Sequence, residues 1–200
     1  MAGKRGPVEF WYDFASTYSY PAAMRIEAVA KAAGVDLVWR PFLLGPIFGS
    51  QGWNDSPFNI YPVKGRYMWR DLARICEAEG LALNEPVSFP QNGLKAARLV
   101  LLGADEGWAA DFTRAVYRAN FAGQKDISSE NVLGDLLQDL GLDAAALTAR
   151  SNTPENKARL KTQSDEAVAR GLFGAPSFTV GEELFWGNDR LEQAVAWATR

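Results

Sequence analysis

The chain has no histidine and a single cysteine, Cys76. Without an imidazole, Ser-His-Asp and Cys-His catalysis are closed to it. Zinc and its neighbours lose their commonest ligand for the same reason, so no metal site is expected. One cysteine permits neither an internal disulfide nor a Cys-x-x-Cys pair, which excludes a disulfide oxidoreductase. No apolar run approaches the ~18 residues of a membrane-crossing helix, so no membrane partner is expected. The opening MAGKRGPVEF carries two basic residues with no apolar stretch behind them, unlike a secretory signal. A basic excess is also missing: the formal net charge is −3, which argues against a nucleic-acid partner. A cytoplasmic location fits these absences. Chemistry must then come from carboxylates, hydroxyls, Lys and Arg, backbone amides, or a borrowed group.

Of the 200 residues, 48% are apolar, enough for one large domain or a small domain carrying an insertion. Val8–Tyr12 is β-branched and aromatic between Gly-Pro and Asp13, which predicts a buried strand. Ala22, Ile26, Val29 and Ala33 then recur at helical spacing, and Gly34 suits a helix stop. Val35–Arg40 alternates like a second strand, which Pro41 ends. From Phe42 to Lys64 the chain is rich in Gly, Pro, Asn and Ser without periodicity, which predicts a long irregular loop of the kind that often serves function. Helices are expected over Tyr67–Gly80, Leu94–Gly103, Trp108–Gly123, Ser129–Leu140 and Asp143–Thr148, and from a Thr153 cap with Pro154 behind it to about Arg170. The closing segment predicts a hairpin, Ser177–Val180 and Glu183–Trp186 across Gly181-Glu182, then a helix capped by Asn188 or Asp189. That order is one sheet interrupted by a helical insertion.

The stretch FASTYSY, Phe14–Tyr20, lies where the first strand hands over to the first helix. Ser16 or Thr17 can cap that helix, since a hydroxyl accepts from a free first-turn N–H. A helix N-terminus also carries partial positive charge and lowers the pKa of a sulfur placed there. Two compatible readings are therefore open for Ser16: a helix cap, and a donor to a sulfur brought by another molecule. Cys76, among Leu72, Ile75 and Ala78, fits a buried inert thiol. Trp53, Trp69 and Trp186 fit core or pocket wall.

WYDFASTYSY, the long loop ending PVKGRYM, the turn GAPSF and the segment FWGNDRL, in that order, resemble the 2-hydroxychromene-2-carboxylate isomerases. These are relatives of the kappa-class glutathione transferases in the DsbA-like branch of the thioredoxin superfamily. The resemblance covers nearly the whole chain. It implies an α/β thioredoxin-like fold of DsbA/kappa type with a large helical insertion between strand 2 and strand 3. Residues 1–62 and 171–200 would form the thioredoxin-like domain, and 63–170 the inserted helical domain. It implies a homodimer that binds glutathione and isomerises 2-hydroxychromene-2-carboxylate to trans-o-hydroxybenzylidenepyruvate in aromatic hydrocarbon catabolism. A kappa-like glutathione transferase or peroxidase acting on other electrophiles is the alternative enzyme. A non-catalytic adaptor that has lost its cysteines is the alternative outside catalysis.

The resemblance also assigns residues. Ser16 matches the catalytic serine that holds the glutathione sulfur, although Thr17 stands where the family usually has proline. Pro176 matches a cis proline facing the helix N-terminus, so that Ala175 and Pro176 bind glutathione through the main chain. Asn188 and Asp189 match the pair at its glutamyl end. Lys64 matches the partner of its glycyl carboxylate. Asn54 reaches toward its sulfur or the substrate, with Asn59 as the other candidate for that place. Phe89 and Asn92 match positions near the aromatic acid. Relatives can have tyrosine at the first, and ordinary core packing would equally account for Phe89. Arg190 fits a surface or structural residue.

Overall fold

The computed structural model describes residues 6–200, so the start of the segment weighed above as a signal lies outside the described residues. The apolar run forms β1 (Val8–Tyr12), buried at every position. It pairs in parallel with β2 (Leu37–Pro41) and antiparallel with β3 (Ser177–Val180), and β3 forms a hairpin with β4 (Glu183–Trp186). The sheet order is β2-β1-β3-β4. Parallel neighbours need a crossover, and α1 (Ser19–Ala32) supplies it.

Alternation along β1 sorts its side chains to two faces. Val8, Phe10 and Tyr12 join the main core with Phe178 and Val180. Trp11 lies in a second cluster with Phe42, Ala167 and Leu172. Glu9 is buried beside Thr179, and its carboxylate lies between two guanidinium groups, 2.6 Å from Arg40 and 2.5 Å from Arg170. Cover on both faces is why the run carries no exposed position.

Two expectations about this region are corrected. Pro41 does not stop β2; it is the last paired residue, opposite Tyr12. A proline is tolerated there because β2 is an edge strand. Ala33 is exposed; Ala22 and Ile26 face inward as expected, and Ala23 and Ala30 join them.

Between β2 and β3 the chain is helical. The segment expected to be irregular contains α2 (Leu44–Ser50) and α3 (Pro57–Ile60), and α4 (Pro62–Ala78) begins before Tyr67. Proline causes the misjudgement: Pro57 and Pro62 occupy first turns, where their missing N–H costs nothing. Then follow α5 (Leu94–Glu106), α6 (Ala109–Phe121), α7 (Glu130–Asp139), α8 (Ala144–Ser151), α9 (Pro154–Ala169) and, after the hairpin, α10 (Leu191–Ala198). Thr153 caps α9 as expected, accepting from the Asn156 N–H at 3.3 Å. Neither Asn188 nor Asp189 caps α10: the two lie in a 3₁₀ turn with Arg190 that leads into the helix. Among the described residues no helix is long and apolar enough to cross a membrane.

Candidate active site

The turn after β1 is fixed from both sides. The buried Asp13 carboxylate accepts from the Ala15 N–H at 2.8 Å and from the Leu44 N–H, the first of α2, at 2.7 Å. Burial raises the Asp13 carboxyl, and the two N–H bonds oppose that rise. The Asp13 carbonyl accepts from the Ser16 N–H at 2.9 Å and the Tyr117 hydroxyl at 2.8 Å. Asn120 donates to the Phe14 carbonyl at 3.2 Å, and the hydroxyls of Thr113 and Tyr12 lie 2.7 Å apart. Thr113, Tyr117 and Asn120 are thus a buried polar row on one face of α6 that holds the turn from below. None of the three was anticipated from the sequence. Their signal was available, as three polar residues at spacings of four and three inside an otherwise apolar helix face.

Ser16 satisfies a free amide at the start of α1, as a cap would: its Oγ accepts from the Ser19 N–H at 3.3 Å. The same hydroxyl donates to the Ala175 carbonyl at 2.8 Å. The Ala175–Pro176 bond is cis, as expected. A second cis bond, Phe89–Pro90, was not anticipated. Gly174 brings its main chain so close to Trp186 that a Cβ would fall 2.4 Å from the indole nitrogen.

Ser16, Ala175 and Pro176 border a hollow of about 1470 Å³. Its walls bring together the other residues singled out in the sequence: Asn54, Lys64, Phe89, Asn92, Asn188 and Asp189. Lys64 is exposed on the first turn of α4, its ammonium 5.4 Å from the centre of the Tyr61 ring. Phe89 is half-buried against Trp69, ring centres 5.2 Å apart. Asn92 accepts from the Leu94 N–H at 2.9 Å. Asn54 borders the hollow, whereas Asn59 is engaged in bridging the Asp55 carboxylate, at 3.1 Å, to the Phe89 carbonyl, at 2.9 Å. Asn188 is held by Arg25, which donates to its carbonyl at 2.8 Å and its Oδ1 at 3.2 Å. Asp189 is exposed and pairs with Arg190 at 2.6 Å. Trp53 and Trp186 are pocket wall, with Trp69 one layer behind Phe89. Tyr18 also borders the hollow and donates to Asp71 at 2.9 Å; burial first, and that carboxylate second, raise its phenol. Cys76 is buried, which pushes its thiol up to about 11.

Comparison with known proteins places the fold in a family. The DsbA-like thioredoxin domain matches residues 7–196. A 2-hydroxychromene-2-carboxylate isomerase of Sphingobium xenophagum is 32% identical over 92% of this chain and 94% of its own. A kappa-class glutathione S-transferase of Caenorhabditis elegans, kappa 2, is 26% identical over 96% of this chain and 91% of its own. A solved structure of a 2-hydroxychromene-2-carboxylate isomerase superimposes with a TM-score of 0.84 at 27% identity, covering 94% of this chain and 92% of that one.

Proposed function

The chain belongs to the DsbA-like thioredoxin family, among relatives that include the 2-hydroxychromene-2-carboxylate isomerases, and from that premise we propose that it is a glutathione-dependent isomerase converting 2-hydroxychromene-2-carboxylate to trans-o-hydroxybenzylidenepyruvate. The observation that carries the proposal is the convergence of sequence-distant residues, from Ser16 to Asp189, on one hollow bordered by the Ser16–Ala175 hydrogen bond.

The donor set suits a tripeptide thiol. Lys64 offers a cation for the glycyl carboxylate, and Asp189 an anion for the ammonium group. Ala175 offers main-chain groups beside Pro176 to an extended ligand backbone. At about 1470 Å³ the hollow exceeds the ~300–1,000 Å³ typical of a small-molecule site, leaving room for a second ligand. Bound glutathione would supply a thiolate nucleophile to a chain that has no histidine to activate its own serine. Ser16 would exchange partners: when its hydroxyl turns from the Ala175 carbonyl to the sulfur, that carbonyl becomes available to the ligand's own N–H. Asn54, Phe89 and Asn92 would orient the aromatic acid, with Phe89 offering a ring face and no hydroxyl. A homodimer, a cytoplasmic location, a role in aromatic hydrocarbon catabolism and the domain division at residues 62/63 and 170/171 belong to the same proposal.

The test is spectrophotometric conversion of the chromene acid with and without glutathione. Conversion that requires glutathione is expected; equal rates in both, or none in either, would defeat the proposal. The second reading, a kappa-like transferase or peroxidase, is favoured by the kappa relative and by the missing phenol at Phe89. Greater turnover on a chlorinated nitrobenzene than on the chromene acid would select it.

A further inference from the structure

Arg25 stands on α1, the helix that the Ser16 turn leads into, and it is not part of the hollow's wall. Its side chain is only 17% exposed. A cation withdrawn from water needs partners that offset its desolvation. Arg25 finds them on one short segment. Its Nη2 donates to the Asn188 carbonyl at 2.8 Å and to the Asn188 Oδ1 at 3.2 Å, and its Nη1 pairs with Glu192 in the first turn of α10. Its Nε lies 3.9 Å from the Glu79 carboxylate, beyond hydrogen-bond reach. Arginine offers donors only, so the oxygen of the Asn188 amide, not its nitrogen, must face it. One guanidinium thus grips both the main chain and the side chain of Asn188. The 3₁₀ turn has few other ties. The Gly187 N–H donates to the Pro176 carbonyl at 2.9 Å, and the Arg190 N–H closes the turn on the Gly187 carbonyl at 3.0 Å. No side chain caps either the turn or α10. Yet Asn188 and Asp189 border the hollow.

We propose that Arg25 is a positioning residue for the glutamyl end of the ligand, holding Asn188 and, through the turn, Asp189 in place before the ligand arrives. This rests on the glutathione reading above and adds to it a residue that never touches the ligand. A turn fixed beforehand has no ordering left to undergo on binding, so its contacts count in full toward affinity. Because the Ser16 turn leads into the same helix, α1 also sets the spacing between the sulfur end and the glutamyl end of the site.

The test is Arg25→Met, which keeps the aliphatic stem and removes every donor, with Arg25→Lys as the conservative rescue. Arg25→Gln, too short for the same grip, carries the test if Arg25→Met does not fold. Glutathione and N-butyryl-cysteinylglycine are titrated calorimetrically. The second ligand keeps the thiol, the peptide and the glycyl carboxylate but has neither charge of the glutamyl head. Wild type should bind glutathione the more tightly of the two. Arg25→Met is expected to bind glutathione about tenfold more weakly, the size of one lost hydrogen bond to a charged group, and the butyryl compound as wild type does. Arg25→Lys should return part of the loss. Glu192→Gln, which removes the ion pair beside the turn but not the grip on Asn188, should keep the wild-type preference. Undiminished glutathione binding in Arg25→Met or Arg25→Gln would overturn the proposal. So would equal losses for both ligands, which would make Arg25 a support of the fold at large. If wild type fails to bind glutathione at all, the glutathione reading and this assignment fall together; wild-type binding that the Arg25 variants leave untouched sinks the Arg25 assignment alone.

Discussion

Replacing Gly65 by alanine sets two effects of opposite sign against each other. Gly65 lies inside α4, where alanine is the better helix former by roughly 0.5–1 kcal/mol. The new Cβ, however, would fall 2.3 Å from the Phe58 carbonyl oxygen and 3.2 Å from its carbon. Both atoms are main chain, so no side chain can swing aside; α3 must move away from α4. Overpacking of this kind costs about 1–3 kcal/mol, and the absence of a soft neighbour puts Gly65→Ala at the upper end. The net loss is about 2 kcal/mol, which for a chain of this size lowers the melting temperature by about 4–8 °C. Gly134→Ala is the control. In α7 the added methyl would meet only the Ala144 Cβ, at 3.9 Å, so the propensity gain should survive and melting should rise by about 2–4 °C. Differential scanning calorimetry of both variants decides the matter. Because the α3–α4 corner carries Phe58 and Lys64 to the hollow, Gly65→Ala should also weaken glutathione binding while Gly134→Ala should not. Shifts in the same direction for both variants would refute the steric reasoning.

Two further outcomes concern ionisable groups. Burial alone would raise the Glu9 carboxyl, but hydrogen bonds from Arg40 and Thr179 and the charges of Arg40 and Arg170 together hold it below the usual glutamate value. A carboxyl lowered in the folded state contributes stability above its unfolded pKa of ~4.3 and loses it as pH falls through the folded value. Thermal melts should therefore show wild type losing stability more steeply than Glu9→Gln below about pH 4. At neutral pH the variant should be less stable by about 2 kcal/mol, because Arg40 and Arg170 lose their shared counter-charge while remaining partly solvated. Cys76 should resist a thiol reagent in the native protein at mildly alkaline pH and react fully in denaturant, since it is buried and its thiol is pushed up to about 11.

The sheet and most helices were legible because their signals are local: the β-branched and aromatic run Val8–Tyr12, the Thr153-Pro154 helix start, the Gly181 turn. What was illegible depends on partners far along the chain. The start of α2 has no capping side chain of its own, and its Leu44 N–H is satisfied by Asp13, which no local pattern reveals. Gly65 and Gly93 serve close approach, the first to the Phe58 main chain and the second to Phe14, and only the folded chain reveals those neighbours. The candidate site was legible as residue types and, through resemblance, as positions. Its hydrogen bonds were not. That Ser16 is tied to Ala175, that Asn188 is held by Arg25, and that Asn59 is engaged while Asn54 borders the hollow follow only from the packing of separate segments.

A crystal structure of the glutathione complex tests the proposed site most directly. The glutathione sulfur is expected within hydrogen-bond reach of Ser16 Oγ, with Lys64 at the glycyl carboxylate, Asp189 at the ammonium group, and the Ala175 main chain paired to the ligand backbone. A sulfur lodged away from Ser16, or glutathione bound outside this hollow, would contradict it.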